Sequence, residues 1–312
     1  MLPIFFQLFP FFALIGCGYL AVRSGFLPQQ AIVHLSQFVF YFALSAMLFD
    51  FSSKLPISEI FDQQFVLAYA SATIAVYLLV MLVARARKCG IAEASVEAQC
   101  GVIGNVGFLA IPVLILIFGP EAAAPMLLVL TVDLVLFGSL IVAAITGSQD
   151  GRLSMGVIST ILTGLIKNPM IMAIIAGLIW SVLELPRPEP FASFLVMLGA
   201  AATPCALFAI GGSLVARSAE RVSVAIWLSF AKLILHPAAV AFASLQLFDI
   251  APFAAAIMIA TAAMPTAGNV YIIAQHYNVA PQRASASILV STILSVITLT
   301  LTISMVQNLL NL

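Results

Sequence analysis

Two short stretches combine helix-breaking residues with an uncharged amide. The first runs Gly101-Val102-Ile103-Gly104-Asn105-Val106-Gly107-Phe108-Leu109-Ala110-Ile111-Pro112, and the second Met264-Pro265-Thr266-Ala267-Gly268-Asn269-Val270. Glycine and proline both weaken a helix interior, and proline also removes a hydrogen bond and clashes with the preceding turn. Both stretches sit in long apolar runs. In lipid, backbone freed by a break needs partners, so unwound backbone survives only where it faces protein or a water-filled cavity. Interruptions at corresponding places in two halves of a chain point to a transporter substrate site. Half-helix N-termini carry partial positive charge and free N–H groups, which suit an anion. The Asn105 and Asn269 amides add donors and acceptors without a fixed charge. The candidate substrate-binding residues are therefore Gly104, Asn105, Gly107, Pro112, Pro265, Gly268 and Asn269. The bland alternative is that Gly and Pro are common in membrane helices and that Asn glues helices together. Two breaks in register favour a site over that alternative.

Ionisable groups inside apolar segments mark function by default. Asp133 falls mid-segment, Lys232 and His236 lie one turn apart, and Glu97 opens the segment that carries Asn105. Lys232 could neutralise Asp133 or attract an anion. His236 could titrate near neutral pH and carry a coupling proton. The structural alternatives are a Lys232–Asp133 pair and a histidine bonded to a nearby carbonyl. Asp50, Lys54, Asp62 and Asp249 sit near segment ends and read as solvated or snorkelling groups. The hydroxyls Ser291, Thr292, Ser295, Thr298, Thr300 and Thr302 read as bonded to their own helix backbone.

The elements that position these residues follow from composition. Hydrophobic residues make up 63% of the 312 and charged residues 8%. Mean hydropathy is +1.19. A soluble domain needs more polar surface than this. The apolar runs lack the alternation of barrel strands, so the spanning elements are helices. Helices are predicted over 3–22, 30–50, 63–85, 96–119, 122–146, 156–182, 191–215, 222–247, 252–277 and 285–309. Turn chemistry separates them at Pro28, Pro56, Gly119-Pro120, Gly147–Gly151, Pro186-Arg187-Pro188 and Pro281. Residues 3–22 lack a basic leader and read as a first membrane helix, not a cleaved signal. The scattered cysteines Cys17, Cys89, Cys100 and Cys205 read as packing, not disulfides or metal ligands. Zero net charge offers no field for nucleic acid.

With the N-terminus outside, Arg23, Arg85, Arg87, Lys88, Arg152, Lys167, Arg217, Arg221 and Arg283 fall inside, against Lys54 and Arg187 outside. This positive-inside bias places both termini outside. The same bias supports an even helix count, since an odd count would scramble the alternation. A weak internal repeat is also visible. Pro10 and Gly18 match Pro169 and Gly177, and Leu48-Phe49 matches Leu207-Phe208, both offset by 159; Gly104-Asn105-Val106 matches Gly268-Asn269-Val270, offset by 164. Five helices per copy is odd, so the second copy enters the membrane inverted. The expected fold is an all-α integral membrane protein. It has ten transmembrane helices as two inverted five-helix repeats, 1–150 and 151–312, with helices 4 and 9 broken and crossing.

The motifs resemble the auxin efflux carrier family of membrane transporters, which is related in fold to the bile-acid/sodium symporters. The matching pieces are Gly104-Asn105-x-Gly107-Phe108-x-x-x-Pro112, Lys167-Asn168-Pro169, Thr203-Pro204-x-x-Leu207-Phe208-x-x-Gly211, Lys232-x-x-x-x-Pro237 and the 264–277 segment. The resemblance covers nearly the whole chain. It implies ten helices, two domains, and a small organic anion held where helices 4 and 9 cross. For bacterial members it implies malonate- or malate-like dicarboxylates. The chain departs from the family at Ser45, where a helix-2 proline is usual.

The expected function is a secondary carrier for a small organic anion, working by alternating access in the bacterial cytoplasmic membrane. Helices 1, 2, 6 and 7 would form a scaffold, and helices 3–5 and 8–10 a transport core. The rivals are a sodium-coupled carrier resembling the bile-acid symporters and an anion channel. An enzyme is disfavoured by the lack of HExxH, G-x-S-x-G, P-loop and metal-spaced His/Cys motifs. No cofactor and no metal site is expected, only a proton or sodium as coupling ion. The expected partners are the anion, the lipid bilayer and a second copy across helices 2 and 7.

Overall fold

The computed structural model describes residues 2–54, 62–150, 163, 166–215 and 222–310. Pro56, Gly151, Arg152, Arg217, Arg221 and the first part of the predicted helix 156–182 lie outside the described residues. The rest is helical, apart from turns and one isolated antiparallel bridge.

We label the helices α1 (Leu2–Arg23), α2 (Gln29–Ser52), α3 (Gln63–Ala86), α4 (Ile91–Val102), α5 (Val106–Phe118) and α6 (Pro120–Ser148). There follow α7 (Pro169–Val182), α8 (Glu189–Leu214), α9 (Val222–Leu247), α10 (Pro252–Ala262), α11 (Gly268–His276) and α12 (Pro281–Leu309). Six of these are long and apolar enough to cross a membrane: α2, α3, α6, α8, α9 and α12.

Local chemistry sets several starts. Asp62 accepts from the Phe65 N–H and caps α3. Asn168 accepts from the N–H groups of Met170 and Ile171, and Pro169 fills the first position of α7. α4 begins five residues earlier than the apolar pattern predicts, because Gly90 ends the preceding turn and Ile91–Ser95 complete the first coil. α12 likewise begins at Pro281, a residue suited to the first helical position, not at 285.

The surface is apolar and the interior carries the polar groups. On α12, Ile293, Ile297, Leu301 and Met305 form an exposed stripe at a spacing of four, while Ser287, Ser291 and Ser295 are buried. Buried Asp133, Lys232, His236 and Glu97 lie inside as well. This inversion of the soluble pattern is what a lipid solvent demands.

Among the described residues, five single π-turns interrupt the helices, at Val39–Ala43, Val106–Ala110, Asp133–Phe137, Ala231–Leu235 and Ala243–Leu247. A π-turn inserts one residue and re-aims the side chains around it. Pro237 cannot donate to the carbonyl four residues back, so the turn at 231–235 relieves that position. Ser45 does not keep α2 regular. The helix widens at Val39–Ala43, and the Ser45 hydroxyl donates to the Phe40 carbonyl at 3.1 Å. α8 loses regularity at Ala201, three residues before Pro204. These two places are related by the same offset of about 159 residues that the sequence repeat shows.

Two close helix contacts carry the same offset. Gly18 of α1 lies against the Phe208 carbonyl of α8; Gly177 of α7 lies against the Phe49 carbonyl of α2. Adding 159 takes Gly18 to Gly177 and Phe49 to Phe208, so one pair maps onto the other. Small residues let membrane helices approach backbone to backbone.

Candidate functional site

The predicted breaks are present, and they meet. Residues 103–105 separate α4 from α5, and residues 263–267 separate α10 from α11. Gly104 and Thr266 form the one antiparallel bridge. The Asn105 N–H donates to the Pro265 carbonyl at 2.8 Å, and the Ala267 N–H donates to the Ile103 carbonyl at 3.0 Å. Each unwound segment thus supplies the partners that the other needs, in a place where water is scarce.

Four helix ends converge here. The N-termini of α5 and α11 bring first-turn N–H groups that have no intrahelical acceptor. Of the C-termini, that of α10 is held by Lys232, which is fully buried and donates to the Ala262 carbonyl. A cation at a helix C-terminus complements its dipole. Gly104 lies close beside Lys232: a Cβ there would be 3.3 Å from Cε and Nζ of Lys232, which would have to give by a few tenths of an ångström.

Asn105 and Asn269 flank the junction. Neither carboxamide is bonded by a described residue; Asn105 is half-buried and Asn269 exposed. Gly268 faces open space. Along α11 the exposed positions are Asn269, Ile272, Gln275 and His276, which share one face. The α5 side is closed: a Cβ on Gly107 would lie 2.8 Å from Met170 Cε and 3.9 Å from Leu44 Cδ1. Pro112 sits half-buried in α5, behind the π-turn at Val106–Ala110.

The ionisable candidates separate into two groups. Lys232 donates to His236 Nδ1 at 3.0 Å. His236 Nε2 faces Thr73 Oγ1 at 3.0 Å, and the Thr73 hydroxyl donates to the Tyr69 carbonyl at 2.7 Å. The Tyr69 hydroxyl donates to Asp133 Oδ1 at 2.8 Å. Asp133 Oδ2 is buried without a partner. Lys232 and Asp133 form no direct ion pair.

Glu97 does not join this network. It is fully buried between Arg87 and Arg283, with Arg283 Nη1 at 2.8 Å, and Arg283 also reaches Glu93 at 3.3 Å. It ties α4 to the start of α12 and to the turn after α3. Glu97→Gln should lower stability by about 1–3 kcal/mol, the usual cost of losing charge-assisted bonds to a buried group. Thermal melting in detergent checks this; an unchanged melting temperature would deny Glu97 that role. At the other end of the fold, Asp50 binds Arg187 and, at 2.6 Å, Lys54. Asp50 is thus a buried partner, not the solvated group its position near a helix end suggests.

Several residues at the junction escape a sequence reading. The Thr266 hydroxyl donates to the Cys100 carbonyl at 2.9 Å, and the Thr266 N–H donates to Ser291 Oγ at 3.1 Å. Ser287 Oγ lies 3.5 Å from Thr266 Oγ1. Part of the α12 hydroxyl stripe therefore serves the break, although Thr292, Thr300 and Thr302 bond their own helix as expected. Tyr69 and Thr73 also carry no local signal.

A model of the family described as membrane transport protein matches residues 3–303. A protein of Rhizobium meliloti (strain 1021) described as "Putative malonate transporter" is 32% identical over 297 residues, covering 93% of this chain and 92% of that protein.

Proposed function

The chain belongs to the membrane transport protein family, and on that premise we propose that it is a secondary carrier for a small organic anion. The substrate class is a mono- or dicarboxylate such as malonate or malate. The similarity to a protein described as a malonate transporter supports this class. The observation that carries the reading is the junction at Gly104 and Thr266, where two helix N-termini and two unengaged carboxamides converge. N–H groups at helix ends and amide donors bind carboxylates without a fixed counter-charge.

The ten helices are two inverted five-helix repeats, counting α4–α5 and α10–α11 as one broken span each. The reciprocal Gly18–Phe208 and Gly177–Phe49 contacts support this symmetry. α1, α2, α7 and α8 form the scaffold, and the remaining helices form the transport core. The chain sits in the bacterial cytoplasmic membrane with both termini outside. In that orientation α5 lies in the outer half and α11 in the inner half. The packed Gly107 and the open Gly268 support a carrier closed outside and open inside. Rocking of the core against the scaffold exchanges the two.

Uptake of labelled malonate, malate and a hydrophobic monocarboxylate into proteoliposomes tests the reading. Saturable uptake is expected for at least one dicarboxylate. Asn105→Ala and Asn269→Ala should each weaken it by about tenfold, the worth of one bond to a charged ligand. Wild-type uptake in both variants would remove the substrate from the junction. Non-saturable flux would favour a channel.

A further inference from the structure

We propose that Asp133 is the proton-binding site of this carrier and that its proton load is read at the helix junction through Lys232; the transport part of this proposal rests on the carrier reading above. Asp133 is 4% exposed, and its Oδ2 has no hydrogen-bond partner. Buried polar atoms are nearly always paired, so an orphan carboxylate oxygen calls for an occupant. The ionisable groups that face it are Tyr69 from α3 and Lys232 and His236 from α9. α5 and α10 also pack on α6 and carry no ionisable residue. α4 packs on the far part of α6, and its Glu97 is engaged by Arg87 and Arg283.

Two other assignments fail on geometry. His236 has both ring nitrogens committed. Nδ1 accepts from Lys232, so Nε2 carries the proton that faces Thr73. A second proton on Nδ1 would meet the ammonium head-on. A sodium ion needs several oxygen ligands. Asp133 offers one free oxygen, which by itself makes no sodium site. One oxygen suffices for a proton.

The link to the junction is a chain of contacts. Asp133 meets Tyr69, Tyr69 meets Thr73, Thr73 meets His236, and His236 meets Lys232, which holds the end of α10. A proton from water adds to Oδ2 and cancels the carboxylate charge. Lys232 is then the uncompensated charge beside Gly104, and an anion at the junction is favoured. By linkage, the bound anion favours the proton equally.

Asp133→Asn separates the two movements. In proteoliposomes with labelled malonate, the variant should lose uphill uptake under an inward proton gradient, down to the level of protein-free vesicles. It should keep counterflow against internal unlabelled malonate within about threefold of wild type, since a threefold change is only ~0.6 kcal/mol. Retained uphill uptake, or loss of both activities in a folded variant, would overturn the assignment. A transport-free readout runs beside it: the pH-difference infrared band of a protonated carboxyl, present in wild type and absent in Asp133→Asn. Tyr69→Phe, which keeps the carboxyl and removes its donor, should shift the pH midpoint of that band. A band with no counterflow in wild type would sink the carrier reading and leave the proton site standing. No band that depends on Asp133 would sink the proton site.

Discussion

Gly211→Ala is expected to leave little folded protein. A Cβ on Gly211 would lie 1.8 Å from the Ile15 carbonyl oxygen and 2.9 Å from the Tyr19 nitrogen. Both are backbone atoms of α1 and cannot rotate away. Its neighbour Gly18 makes the return contact, with a Cβ position 2.0 Å from the Phe208 carbonyl oxygen. α1 and α8 therefore touch backbone to backbone over about one turn. One added methyl must push the helices apart along that seam and loosen every dispersion contact on it. Overpacking usually costs about 1–3 kcal/mol and occasionally more. Here the obstacle is rigid, so the upper end applies. The measurement is the melting temperature and the monodisperse fraction in detergent. Gly16→Ala is the internal control: it lies in α1 with nothing within 4 Å of its Cβ position. It should be neutral or gain a few tenths of a kcal/mol from helix propensity. Equal stability of the two variants would refute the close seam.

That seam shows which parts of the fold were legible in the sequence. The offset of 159 that relates Gly18 to Gly177 and Phe49 to Phe208 is visible by eye, and these four residues turn out to touch in two pairs, Gly18 with Phe208 and Gly177 with Phe49. The breaks were legible because Gly and Pro act through the backbone, so their effect depends little on what surrounds them. Ser45 shows where that reasoning stops. The missing proline suggests a regular helix, yet α2 widens into a π-turn that no residue type announces. The hydrogen-bonded polar chain was half legible. Asp133, Lys232 and His236 stand out because charge is rare in apolar segments. Tyr69 and Thr73 do not, since both are ordinary residues of membrane helices. Their meaning comes from Asp133, 64 positions away, and His236, 163 positions away. Ser291 was read as bonded to its own helix, and it is, at 3.3 Å to Ile288. Only the fold brings the Thr266 N–H to its second lone pair.

Lys232→Met should separate stability from transport more cleanly than any other change. Lys232 is fully buried, and its ammonium binds the Ala262 carbonyl and His236 Nδ1. Burying that charge costs several kcal/mol, which its bonds offset only in part. Methionine fills nearly the same volume without the charge, so melting should stay close to wild type even though two acceptors lose their donor. Transport should not survive as well. The end of α10 loses its brace, and the junction loses the cation beside Gly104. A charge-assisted bond is worth about 1.5–3 kcal/mol, which corresponds to a loss of roughly 10- to 150-fold. The two contributions are distinguishable in kinetics. If Lys232 draws the anion, the KM for malonate rises and the maximal rate holds. If it braces the moving helix, the maximal rate falls and KM holds. Lys232→Arg keeps the charge but brings a wider, planar head to a fully buried site, so it should rescue little of either. Wild-type transport in Lys232→Met would show that the ammonium acts in neither way.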